Sequence, residues 1–397
     1  MKNGYIYLDN AGTSIPHETV KEAATEYVKL LKEPALLNRR QADILSDARR
    51  AAAAFLNCEN DEIALVRSTS QALGTLACSL PLKRGQNVLI CDLEYQASTA
   101  CWHPRVERDG VELRCVKTQN GRVTAEDFAR YIDENTKVIL LASVQEINGF
   151  RADIQEISRL AKKHHCYFLV DGIQEAGALQ VDVKALGMDI YCAGGKKWIG
   201  NPFGCGFMYI RKELLSQVQP PYYSYMDIRL EEGVPFDVEA YIAYLESPVR
   251  HPFDKVHFAK TADVFEAGGY DNYVGALGLY KALQHLMDMG MEAVERQILG
   301  LRRRLLTGLK QMNVLVTSPE EESSGSAIVS FSLHDLADCD VSRERALVSY
   351  LKSQGIQVSL RCTAGTGGIR VSPHYYNREV EIDIFLETVK HWLKKEL

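Results

Sequence analysis

Short apolar runs alternate with helical periods over the first two thirds of the chain. The runs EIALV (62–66), NVLICD (87–92), ELRCV (112–116), KVILLAS (137–143), CYFLVD (166–171), MDIYCA (188–193) and CGFMYI (205–210) predict strands. Between many of them stand segments with apolar residues at helical spacing, such as TAEDFARYIDE (124–134) and ADIQEISRLAKKHH (152–165). This alternation predicts βαβ units around a mainly parallel sheet. Several runs are apolar throughout, as required of strands covered on both faces.

The pattern weakens from about 215 to 260, a stretch rich in tyrosine and proline. A long helical period follows over 272–312 and predicts more than one helix. The remainder reads as strand AIVSFSL, helix ERALVSYLKSQ, strands IQVSLR and GIRVSP, and a last helix from Asn377. The expected organisation is an N-terminal segment (1–20), a large domain (21–258) and a smaller α/β C-terminal domain (259–397).

Composition narrows the class. Hydrophobic residues make up 46% of 397, enough for a large core, and charged residues 25%. The net charge of -6 argues against a nucleic-acid surface. No apolar run approaches the roughly 20 residues of a membrane span, and MKNGYIYLDNAGTS lacks the apolar centre of a signal peptide. The ten cysteines are scattered without a C-x-x-C pair, which reads as reduced thiols in a cytoplasmic protein. No metal site is expected.

Two segments carry chemistry. FLVDG places Asp171 at the C-terminal end of an apolar strand, where parallel α/β sheets bind ligands. CAGGKKW places Lys196 and Lys197 just after the next strand, so the pair and Asp171 share one sheet edge. A lysine pair in a loop is ordinarily a solvated pair; burial beside a second cation instead lowers the pKa and makes a nucleophile. In VRSTSQALG, Ser68, Thr69 and Ser70 follow a strand where a helix begins. That is an N-cap, and also a place where phosphate binds well. There is neither a G-x-G-x-x-G nor a Walker A element, which weakens nucleotide readings. A phosphate site, a strand-end carboxylate and a loop lysine together suit pyridoxal phosphate.

With these residues in place, the sequence resembles the class V aminotransferases of the pyridoxal-phosphate fold type I superfamily. That group includes cysteine desulfurases, other C–S lyases, kynureninase and isopenicillin N epimerase-like proteins. The resemblance runs in order through YLDNAGTS, RSTSQA, SVQEINGFRADI, the block from VDGIQEAG to FMYIR, FEAGG and GIRVSPHYYN. It implies a large domain with a mainly parallel seven-stranded sheet, a smaller α/β domain, pyridoxal 5'-phosphate as cofactor, and a homodimer. It assigns Lys197 to the Schiff-base position and Lys196 to the variable position before it, where a positive charge is expected to aid the phosphate. It assigns Asp171 to the pyridinium nitrogen, Gln174 to the phenolic oxygen, Tyr95 to the ring-stacking position, and Thr69 and Ser70 to the phosphate. Ser143 is expected near the cofactor oxygen, and Arg370 on the substrate's α-carboxylate.

Two departures bear on the reaction. Desulfurases carry a nucleophilic cysteine on a loop before the arginine; here SLRCTAGTGGIR is short, with Cys362 near that place. Many relatives have a threonine after the first glycine of FEAGG, given to the partner subunit's phosphate; this chain has Gly269. The expectation is an enzyme acting on an amino acid, with C–S chemistry first. Aminotransferase and epimerase activities stand as alternatives, and a non-catalytic cofactor-binding protein as the remaining one.

Overall fold

The computed structural model describes residues 5–232, 238–266, 272–336 and 340–396. Its strands in chain order are β1 (Ile6–Tyr7), β2 (Ile63–Val66), β3 (Asn87–Cys91), β4 (Glu112–Val116), β5 (Thr136–Ala142), β6 (Tyr167–Asp171), β7 (Ile190–Gly194) and β8 (Gly206–Ile210). After these come β9 (Ile228–Arg229), β10 (His257–Phe258), β11 (Leu315–Val316), β12 (Val329–Ser332), β13 (Ile356–Gln357), β14 (Ser359–Thr363) and β15 (Thr366–Val371).

The seven runs of the first two thirds join in one sheet, ordered β2-β8-β7-β6-β5-β3-β4. Only β8 runs against its neighbours; the other pairings are parallel. The C-terminal ends of β2, β3, β5, β6 and β7 therefore lie on one edge. Alternate residues pack on opposite faces. Phe168 and Val170 join one core cluster, and Leu169 between them joins the other. The first face is covered by helices Pro34–Leu56 and Tyr273–Met289, the second by helix Thr69–Ser79.

Helix Ile154–Lys163 shows how the local code works. Ile154, Ile157, Ser158 and Ala161 form its buried stripe, at a spacing that fits one helical face. Asp153 caps it by accepting the Glu156 N–H at 2.9 Å, and Lys162 and Lys163 stand in its last turn. The expected long helical region is two helices, Tyr273–Met289 and Met291–Lys310, broken at Gly290 with φ +77°.

A second sheet, β11-β12-β15-β14, is antiparallel and packs on helices Met291–Lys310, Ser342–Ser353 and Glu379–Glu396. The run IQVSLR is split. Its first part, β13, pairs in parallel with β1, Ile6 opposite Ile356. Its second part, β14, forms a hairpin with β15. Among the described residues no helix is long and apolar enough to cross a membrane.

Candidate active site

Five strand ends deliver the site. Asp171 closes β6 and is buried. Burial pushes its carboxyl up to about 6, opposed by the Ile173 N–H it accepts at 2.9 Å and by the Lys197 charge. Lys197 follows β7. Burial is again the largest effect and brings its amine down to about 8; Glu146 and Asp171 oppose the fall, and Arg370 and Lys196 assist it. Lys197 and Asp171 are thus neighbours whose protonation states depend on each other.

Gly195, just before the lysines, lets backbone press against backbone. A Cβ on Gly195 would stand 2.5 Å from the Cys205 carbonyl oxygen. Gly194 donates its N–H to Thr69 Oγ1 at 2.9 Å, which docks the lysine loop on the start of helix Thr69–Ser79. Ser68 is that helix's cap, its Oγ accepting the Gln71 N–H at 3.1 Å. Thr69 is buried, while Ser70 is exposed. A helix start of this kind carries positive partial charge and N–H groups that lack intrahelical acceptors.

Tyr95 follows β3 as the cap of a short helix, Gln96–Ala100, and is 56% exposed. Ser143 follows β5 and is buried; its Oγ bonds the Asp171 carbonyl at 3.4 Å and also serves the Glu175 carboxylate. Gln174 is buried too. Its Nε2 donates to the Ala11 carbonyl at 3.2 Å, and its Oε1 accepts the Trp198 indole N–H at 2.9 Å. The Asn10–Ser14 segment is therefore part of the site wall, and Ser14 N–H donates to the Lys196 carbonyl at 3.1 Å. His374 backs the same wall. Its Nδ1 accepts the Tyr375 N–H at 2.8 Å, so its Nε2 carries the proton given to the Trp198 carbonyl at 2.9 Å. Burial holds this ring neutral, with its pKa down to about 4.

Arg370 reaches the site from β15 and is 1% exposed. Its Nη1 donates to Glu146 twice, to the backbone carbonyl at 3.2 Å and to Oε2 at 3.0 Å. Its Nη2 donates to Asp9 Oδ1 at 3.2 Å, an oxygen that also accepts the Ser359 hydroxyl at 2.9 Å. Glu146 and Asp9 are candidate-site residues that the motifs alone do not single out. Both lay inside motifs already singled out, SVQEINGFRADI and YLDNAGTS. For Glu146 the signal is an acidic residue shortly after β5, which ends at the ligand edge; Asp9 follows β1, outside that sheet.

Cys362 stands within the β14 ladder opposite Gly367. Side chains alternate along a strand, and Ser359 faces Asp9. Cys362 therefore shares the other face, with Leu360; it is exposed, and partial desolvation raises its thiol pKa with Glu344 adding to the rise. Gly269 lies outside the described residues.

The sequence profile of the aminotransferase class-V family matches residues 6–232 and 247–385. A probable cysteine desulfurase of Pyrococcus abyssi is 26% identical over 98% of this chain and 94% of its own length. One of Methanothermobacter thermautotrophicus is 26% identical over 97% and 94%. Among solved structures, the apo cysteine desulfurase from Thermococcus onnurineus NA1 superposes with a TM-score of 0.84 at 24% identity, covering 99% of this chain and 96% of that one. The cystine C–S lyase C-DES, in complex with cysteine persulfide, gives 0.83 at 23% identity over 97% of each chain. These structures share the fold. With the profile spanning nearly the whole molecule, the chain belongs to the aminotransferase class V family of pyridoxal-phosphate enzymes.

Proposed function

We propose that this protein is a pyridoxal-phosphate enzyme that cleaves the C–S bond of a cysteine-type amino acid. One observation carries the reading: a buried lysine with a depressed pKa stands beside a buried carboxylate at a shared strand edge, facing a helix start. The residues present fit the cofactor. Asp171 suits its ring nitrogen, Lys197 its aldehyde, and the helix start with Ser70 and Lys196 its phosphate.

Bound pyridoxal phosphate supplies an aldehyde that condenses with amines and a ring that draws electrons from the substrate's Cα. The chain's own groups do the rest. Asp171 is ionised at neutral pH and offers a carboxylate to a protonated ring nitrogen. Lys197, with its pKa near 8, releases and takes a proton at Nζ close to neutrality, as a general base at Cα requires. Gln174 and Trp198 keep the lysine loop and the Ala11 segment fixed around it.

Overall, cysteine and water give pyruvate, ammonia and sulfide. Direct release of sulfide is favoured over storage as a protein persulfide because Cys362 sits in a paired strand on the face opposite Ser359. A homodimer in the reducing cytoplasm accompanies this reading; the family resemblance supports the first, and the disulfide-free cysteines among the described residues support the second. The test is a product assay over a panel of amino acids, with sulfide, pyruvate and amino-acceptor product scored separately. Sulfide with equimolar pyruvate from cysteine is expected. Keto acid formed only with an amino acceptor, or racemised substrate without sulfide, overturns the reading.

A further inference from the structure

We propose that Glu146 is a specificity-determining residue and that the preferred substrate is a cysteine-type amino acid bearing a second, cationic group on its side chain, with cysteine itself a weaker one. This rests on the amino-acid reading above. Arg370 is 1% exposed, whereas the Glu146 and Asp9 side chains are 15% and 16% exposed. The Arg370 Nε is buried and has no acceptor among the described residues. The accessible edge of this cluster is therefore anionic, although an arginine stands behind it.

The unpartnered Nε is buried, so a substrate carboxylate that approaches from the accessible edge replaces one of the two carboxylates. Asp9 is fixed: its Oδ1 holds the Ser359 hydroxyl, and its carbonyl accepts the N–H groups of Gly12 and Thr13. The Glu146 carboxylate has one hydrogen-bonding partner among the described residues, Arg370 itself. Glu146 is the group that yields.

Once displaced, Glu146 is a partly buried carboxylate with Asp171 close enough to feel its charge. Removing one member of such a pair is costly unless a new cation replaces it. Lys197 is the protein cation within reach, but pairing there would hold its proton and oppose its work as a base. A substrate with a cationic arm closes the balance. Its α-carboxylate takes Arg370, its arm takes Glu146, and every charge keeps a partner. A neutral side chain leaves Glu146 alone, and an anionic one adds to the excess negative charge.

Three sulfur-free amino acids of similar length test this by binding alone: L-lysine, L-norleucine and L-2-aminoadipate. Their dissociation constants for the cofactor-loaded enzyme are measured by calorimetry. L-lysine is expected to bind roughly tenfold tighter than L-norleucine, with L-2-aminoadipate weakest, as one satisfied or unsatisfied charge pair implies. In Glu146→Gln the order is expected to compress to within about twofold. Equal affinities in the unmodified enzyme overturn the proposal, whatever the variant does, and so does an order that survives Glu146→Gln. Cleavage is scored separately with S-(2-aminoethyl)cysteine. Ranked binding without thiol release rejects the C–S reading and keeps this one; thiol release with unranked binding does the reverse.

Discussion

Trp198 donates its indole N–H to Gln174 Oε1 at 2.9 Å, and Gln174 passes the connection to Ala11 through its other amide atom at 3.2 Å. Three distant segments thus meet beside Lys197. Trp198→Phe keeps most of the packing and orphans a buried acceptor. It is expected to cost about 1–3 kcal/mol, read by urea denaturation. Weaker pyridoxal-phosphate binding should accompany the loss, because the lysine loop is freed at one end.

The two lysines should respond unequally to mutation. Borohydride reduction of the cofactor-loaded protein fixes the cofactor on whichever lysine holds it. Peptide mass analysis is expected to find it on Lys197. Lys197→Ala should abolish the adduct, whereas Lys196→Ala should keep it and raise the cofactor concentration needed for half-saturation. Equal loss in both variants contradicts the assignment.

Lys197 also makes a pH prediction for the cofactor-free protein. Its amine titrates near 8 when folded, against an ordinary 10.5. Between those values the folded state holds it neutral and the unfolded state binds a proton. Its contribution therefore makes stability rise with pH across that window. Asp171, pushed up to about 6 from 3.8, contributes the opposite slope between those two values. Site-resolved reductive methylation should show Lys197 labelling with a midpoint near pH 8. Glu146→Gln removes a charge that favours the ammonium and should move that midpoint lower.

Gly177 has φ +95°, and a Cβ there would stand 2.5 Å from the Trp198 carbonyl carbon and oxygen. Gly177→Ala strains its own backbone and pushes the strip that follows Lys197. A loss of about 3 kcal/mol is expected by thermal or urea unfolding. Fluorescence of Trp198 should change with it. A variant of unchanged stability would mean that the Trp198 backbone yields freely.

Cys362→Ser is expected to keep sulfide release from cysteine within about twofold, since the thiol lies on the strand face away from Ser359 and Asp9. Trapping with a thiol-alkylating reagent during turnover should find no persulfide at this position. Loss of sulfide release in the variant would contradict that placement.

Much of the architecture was legible because it rests on local signals. The seven runs of the large sheet fall within two residues of the observed strands, since each is a short apolar stretch bounded by turns. Asp171 and the lysine pair are placed by the same signal, since Asp171 ends such a stretch and the pair follows another; the choice of Lys197 over Lys196 comes from the family resemblance. Glu146 is not singled out in this way. Its importance comes from Arg370, which is distant in sequence and meets it only when β15 is docked. The splitting of IQVSLR was equally hidden, because β13 is defined by a partner near the other end of the chain. Cys362 shows the limit of spacing as evidence. Its place before Arg370 suggests a nucleophile and the short spacing speaks against one, whereas the parity of the β14 hairpin decides which way it faces.

The pairing of β1 with β13 also sets a timetable for synthesis. Ile6 leaves the ribosome long before Ile356, the residue it pairs with, and until then has no strand to join. Asn10 likewise waits for Ser372, whose carbonyl accepts its amide at 2.8 Å. The lysine loop and its sheet are complete long before then, yet the wall formed by residues 10–14 is not. Contacts this distant close slowly. A nascent chain halted after the large sheet therefore holds Asp171 and Lys197 while the 10–14 segment still lacks its Ser372 anchor.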